Sequence, residues 1–220
     1  IVHQIKNILK FTKSSGISKH PDVNHQIINT LYTSHEALII DYEKTFISQH
    51  NNNTYDCSAH MLWVGDRTRT LNSKHINFVS KIANPIGIKI GPSIQIEDIV
   101  KLCHKINPDN KYGKIIFITR LGISYIRKIL PKLISEIKKH KLNVLWLCDP
   151  MHGNTINSKN GYKTRSFNTI KTELEYFFQI HKLHGTVPGG VHFELTGDNV
   201  TECIGGINNV QDVDLESYYQ

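Results

Sequence analysis

Five short apolar runs recur along this chain with helix-like stretches between them, and no other feature restricts the fold as strongly. The runs are HMLWVGD (60–66), PIGIKIGPS (85–93), KIIFITRLG (114–122), NVLWLCDP (143–150) and GGVHFELTG (189–197). Each has strand length and ends in polar or Gly/Pro punctuation. Between them, IEDIVKLCHKI (96–106) and SYIRKILPKLISEIKKH (124–140) carry apolar residues at helical spacing, with Pro131 inside the second as a kink or a first turn. FNTIKTELEYFFQIHKLHG (167–185) closes on Lys, His and Gly, a helix stop signal. SKHINFVSKIA supplies a short helix between the first two runs. Upstream, residues 22 to 50, including SHEALIIDYEKTF, read as helical, and NNNTYD after them reads as a polar loop. Strands alternating with helices imply a parallel sheet joined by right-handed crossovers.

Two architectures meet that pattern, an open doubly wound sheet and a closed βα barrel, and the strand ends separate them. Asp66 and Arg67 follow the first run, Lys89 closes the second and Arg120 the third. Asp149 and His152 follow the fourth, and Glu194 sits near the end of the fifth. Functional groups at the carboxyl ends of successive strands describe a barrel's active face, whereas an open sheet gathers them at one crevice. The expected fold is therefore α/β, a (β/α)8 TIM barrel that is incomplete here. About five strand-helix units (57–206) follow an N-terminal segment, 1–50, that is mainly helical, and 1–220 is read as one domain.

Composition narrows the function classes. Of the 220 residues, 39% are hydrophobic and 20% charged, which suits a folded chain. No apolar run approaches the roughly 18 residues of a membrane span, and IVHQIKNILKF is too broken by polar residues for a secretory core. A cytoplasmic protein with no membrane partner is the expectation. Cys57, Cys103, Cys148 and Cys203 form no CxxC pair, so reduced thiols are expected rather than a disulfide framework or zinc ribbon. The net charge of +7 favours anionic partners, although lysines on solvated faces account for much of it. For a nucleic-acid-binding module the one candidate is RKILPKLISEIKKHK (127–141), and an amphipathic helix with a wet face explains it equally well. There is no GxGxxG after a strand, no Walker A loop and no GxSxG elbow.

The candidate site residues follow from what their positions would otherwise cost. Lys89 occupies a strand of apolar side chains, which is expensive unless its ammonium meets a partner or water. Arg120 repeats this one strand later. In WVGDRTR, Arg67 and Arg69 offer forked donors suited to carboxylate or phosphate, and a plain Asp–Arg network is the competing explanation. His152 and Glu194 offer nitrogen and oxygen donors that suit Mn, Fe, Co or Zn. His192 alternates with Glu194 and reads as a structural histidine or a support for the site. Cys203 reads as a small buried residue before being a ligand or nucleophile.

Taken in series, YTSHEALIIDYE, HMLWVGDRTR, ANPIGIKIGPS, FITRLG, WLCDPMHGNT, GYKTR and GGVHFELTGDNVTECIGG resemble the class II 3-deoxy-D-arabino-heptulosonate 7-phosphate synthases, in consistent order from about residue 30 to 206. The resemblance implies a βα barrel that condenses phosphoenolpyruvate with erythrose 4-phosphate, the entry reaction to chorismate and the aromatic amino acids. Asp66, Arg67, Lys89 and Arg120 would bind phosphoenolpyruvate, with Lys89 and His152 catalytic. His152 and Glu194 would be two ligands of a divalent metal, Mn or Co, and a homo-oligomer is implied at full length. Many members carry Glu at the position of Asp66. The family's cysteine ligand and one arginine fall before Ile1, and its CDPRLN-like aspartate falls after SYYQ. The expectation is thus a chain cut at both ends that binds metal weakly and turns over poorly alone, with an inactive paralogue as the alternative.

Overall fold

The sheet is parallel and its strands lie side by side in the order in which the chain makes them. The computed structural model describes residues 31–194 and 200–215. By its internal contacts the chain divides into the units Ile1–Thr33 and Ser34–Gln220, and every element below belongs to the second. The main sheet contains β1 (Ser34–Glu36), β4 (Met61–Val64), β5 (Ile86–Ile90), β6 (Ile115–Thr119), β7 (Leu145–Cys148) and β10 (Gly190–Val191), hydrogen-bonded in the order β1-β4-β5-β6-β7-β10. All five neighbouring pairs are parallel. Between them come α1 (Ile40–Glu43), the hairpin β2 (Ile47–His50) and β3 (Asn53–Asp56), α2 (Lys74–Val79), α3 (Ile96–Ile106) and α4 (Ile126–Lys139). After β7 a second small sheet forms from β8 (Thr155–Asn157), β9 (Lys163–Ser166) and β11 (Cys203–Ile204), with α5 (Phe167–Leu183) following β9.

A strand order without reversal has no topological switch point, unlike a doubly wound sheet. The layering agrees. Leu62, Val64, Ile86, Ile88, Ile90, Ile115, Phe117, Trp146 and Cys148 share one core with Ile99 and Leu102 of α3, Leu130 and Ile134 of α4 and Phe177 of α5. Side chains alternate along a strand, so Trp63, Lys89, Ile116, Ile118 and Leu147 take the other face. The helices therefore cover one face, and the second face closes on itself. Trp63 of β4 and His192, just past β10, show this directly. Four strand steps at roughly 4.8 Å would hold them about 19 Å apart in a flat sheet, yet their rings meet edge to face with centroids 4.9 Å apart. The architecture is an α/β fold with a curled, parallel, six-stranded half-barrel.

All five apolar runs supply strands of this sheet, and IEDIVKLCHKI is helical over its full span. Pro131 lies in the second turn of α4, where it removes one helix hydrogen bond without ending the helix. Two readings need correction. The segment 34–50 is not one helix: Ser34–Glu36 is a strand of the main sheet, α1 is a single turn, and Ile47–His50 begins a hairpin. Parallel pairing with β4 overrides the helical spacing of its apolar residues. Nor is NNNTYD simply a loop, since Asn51 and Asn52 have φ of 47° and 61°, the turn that lets β2 and β3 pair antiparallel. Residues 22–30 of the helical reading lie outside the described residues. Among the described residues no helix is long and apolar enough to cross a membrane, and all four cysteines are free.

Candidate active site

β5 is buried along its whole length, so the ammonium of Lys89 has to be satisfied inside the protein. It pairs with Asp149, which the chain places one residue beyond the end of β7 and which is fully buried. The backbone of Asp149 continues the sheet by donating its N–H to the Thr119 carbonyl at 2.7 Å. Burial alone would raise the Asp149 pKa. The hydrogen bond with His152 and the charge of Lys89 together hold its carboxyl well below the usual carboxylate range. The Lys89 ammonium also lies 5.9 Å from the centre of the Trp63 ring.

His152 opens a short 3-10 turn, His152–Asn154, which swings its ring back toward the strand ends. Its Nδ1 lies 2.7 Å from Asp149 Oδ2, and its Nε2 lies 3.1 Å from Glu194 Oε1. With the proton on Nδ1, facing Asp149, Nε2 and the Glu194 oxygen are two acceptors face to face. A cation or a second proton relieves that conflict. The pair thus fits a divalent metal with an imidazole nitrogen and a carboxylate oxygen, and Asp149 fixes the ring from behind. Among the described residues no group of three or more His, Cys, Asp or Glu side chains is placed to hold a metal.

The turn after β4 separates its two arginines. Arg69 is buried and donates through Nε to Asp66 Oδ1 at 2.9 Å. The same oxygen accepts the Gly91 N–H at 2.8 Å, so the Asp66 carboxylate ties two strand-end loops together. Arg67 is exposed and faces the cavity. Arg120 donates from Nη2 to the His152 carbonyl at 3.1 Å.

A cavity of about 440 Å³ gathers these groups: Asp66, Arg67, Lys89, Arg120, His152 and Glu194 line it together with Glu36, Trp63 and Thr68. Of the residues singled out for substrate or metal from the sequence, Asp66, Arg67, Lys89, Arg120, His152 and Glu194 face this one space, whereas Arg69, the second forked donor of WVGDRTR, donates to Asp66 and does not line it. Two were missed. Glu36 ends β1, the strand read as helix, and Trp63 lies on the alternate face of β4, which period-two spacing could have revealed. His192 is not a cavity wall; it packs edge-on against Trp63, donates its backbone N–H to the Cys148 carbonyl, and burial lowers its pKa. Cys203 lies in the second small sheet, where burial raises its thiol pKa.

The model of the class-II DAHP synthetase family matches residues 1–220. The phospho-2-dehydro-3-deoxyheptonate aldolase AroG of Mycolicibacterium smegmatis is 42% identical over 224 residues, covering 99% of this chain and 47% of that protein. The phospho-2-dehydro-3-deoxyheptonate aldolase of Streptomyces coelicolor is 41% identical over 222 residues, covering 100% of this chain and 48% of that protein. The chain spans about half the length of the curated relatives it matches.

Proposed function

This chain belongs to the class-II DAHP synthetase family, and from that premise we propose that its cavity is the phosphoenolpyruvate end of a 3-deoxy-7-phosphoheptulonate synthase, built on a (β/α)8 barrel. The observation that carries this reading is the convergence of Arg67, Lys89 and Arg120 with His152 and Glu194 on one 440 Å³ space, each arriving from a different strand end. Three cations facing a common volume suit a small trianion carrying a carboxylate and a phosphate.

In the reaction, C3 of phosphoenolpyruvate forms a bond to the aldehyde carbon of erythrose 4-phosphate. Water then adds at C2, and the C2–O bond breaks to release phosphate, leaving the seven-carbon 2-keto sugar acid phosphate. Arg67 and Arg120 hold the carboxylate and phosphate charges. Lys89 is kept in place by its ion pair with Asp149, so its ammonium faces the charge that moves from C2 to the leaving phosphate. Trp63 supplies an aromatic wall of the cavity beside Lys89. His152 and Glu194 would hold a divalent metal, manganese or cobalt, whose chemistry when bound is Lewis-acid polarisation of the aldehyde oxygen. Asp149 supports both arms, orienting His152 through Nδ1 and Lys89 through its charge.

The test is phosphate release by the purified protein with both substrates and manganese. Release that needs both substrates and stops with chelator supports the reading. Its absence, together with unchanged tryptophan fluorescence on adding phosphoenolpyruvate, would overturn it.

A further inference from the structure

Behind the cavity, on α5, lies a carboxylate that the chemistry above does not use. Glu173 is fully buried and has no ion-pair partner among the described residues. Its Oε1 accepts the Gly122 N–H at 2.9 Å, and its Oε2 accepts from Asn154 Nδ2 at 2.5 Å. Asn154 in turn donates to the Pro150 carbonyl at 2.8 Å and accepts the Ile123 N–H at 3.0 Å.

Gly122 lies two residues beyond Arg120, and Asn154 two beyond His152. Their loops touch backbone to backbone: a Cβ at Gly122 would overlap the Gly153 carbonyl oxygen. A buried carboxylate without a cation is expensive, and burial pushes its pKa up to about 7 against the pull of these hydrogen bonds. The negative charge of Asp149 also disfavours its ionised form. What the position requires is two acceptor oxygens. A glutamine would fill the same volume but turn an NH2 toward the NH2 of Asn154.

We propose that Glu173 is a positioning residue that clamps the loop after β6 to the loop after β7 and so sets the separation of Arg120 from His152. Its effect on ligand affinity rests on the function proposed above, whereas the clamp itself does not.

The experiment compares the wild type with Glu173→Gln, with Asn154→Ala, and with the pair Glu173→Gln/Asn154→Asp. In the pair, a glutamine amide again meets a carboxylate oxygen. Ile137→Ala in α4 is the control, a core truncation far from both loops. The ligand-free readout is amide hydrogen exchange. Exchange at Gly122 and Ile123 should accelerate roughly tenfold or more in either single variant and largely recover in the pair. With ligands, the affinities for phosphoenolpyruvate and for manganese should fall together by roughly 10- to 100-fold in the single variants, and neither should change in the control despite its lower melting temperature. Unchanged exchange at Gly122 and Ile123 in Glu173→Gln would overturn the clamp, and unchanged exchange in Asn154→Ala does so if the glutamine variant does not fold. Accelerated exchange with both affinities within about twofold of wild type would overturn the positioning role. A wild type that binds neither probe refutes the proposed function while exchange still decides the clamp.

Discussion

Asp149 is held from four directions and Lys89 from one. The carboxylate accepts from the Lys89 ammonium, from His152 Nδ1, and from the N–H groups of Met151 at 3.1 Å and His152 at 3.2 Å. The ammonium has Asp149 as its one ion-pair partner among the described residues, with the Trp63 ring at 5.9 Å. Losing the two residues is therefore unequal. Asp149→Ala strands a buried cation and should cost about 3–5 kcal/mol in urea unfolding. Lys89→Met leaves the carboxylate its other donors and should cost less than half of that, while removing phosphoenolpyruvate binding. Equal losses from the two variants would refute the asymmetry.

His181 makes the fold sensitive to acid. It is buried between Phe177 and Trp146, its Nδ1 lies 2.7 Å from the Thr186 hydroxyl, and burial lowers its pKa to about 4. In the unfolded chain it binds a proton near its ordinary value of 6.5, so the unfolded state is favoured as pH falls from about 6.5 to 4. The lost stability approaches about 3 kcal/mol at the lower end. Glu173, with its pKa raised to about 7, acts in the opposite sense: its contribution is full below about 4.5 and fades as pH rises through 7. Between pH 4.5 and 6.5 the two contributions largely cancel, so stability measured against rising pH should fall across that window in His181→Asn, where the wild type stays nearly flat. A variant with the wild-type slope would show that some other group carries the effect.

Two glycines with the same backbone demand should respond differently to alanine. Gly113 and Gly122 have φ of 74° and 73°, so a side chain at either is strained in the left-handed region. A Cβ at Gly113 meets nothing within 4 Å, whereas at Gly122 it runs into the Gly153 backbone. Gly113→Ala should cost about 1 kcal/mol. Gly122→Ala should cost at least about 2 kcal/mol more, because backbone must move, and should also weaken manganese binding. Similar melting temperatures for the two variants would mean that the loops are not in tight contact.

Much of this was legible in the sequence where the signal was local. The strands of IGIKI and IIFIT are almost wholly apolar because both of their faces are covered, and Lys89, the one cation inside them, had to meet a partner or a cavity. Asp149 and His152 were visible as residues past a strand end. That Asp149 joins Lys89 to His152 was not, because Lys89 lies 60 residues away in sequence. The same holds for Glu173, whose partners are 51 and 19 residues distant and which looks like any other acid on a helix. β1 was lost for a different reason. Three residues pair in a sheet, and a helical spacing runs across them into α1.

The arginines of the β4 turn should part company in the same way as Lys89 and Asp149, with function on one side and stability on the other. Arg69 is buried against Asp66, which also anchors Gly91, so Arg69→Ala leaves a largely buried carboxylate with only one of those two bonds. It should cost about 2–3 kcal/mol in unfolding and disturb binding only through the fold. Arg67 is exposed at the cavity, so Arg67→Ala should change stability by no more than about 0.5 kcal/mol. Its effect should appear in ligand affinity: phosphoenolpyruvate should bind roughly tenfold more weakly, with a shallower dependence on salt because one cation no longer faces the anion. Calorimetric titration of phosphoenolpyruvate at two salt concentrations, set beside urea unfolding of both variants, makes the comparison. If Arg67→Ala binds phosphoenolpyruvate as the wild type does, this arginine is a surface charge, and the anion is held by Lys89 and Arg120 alone.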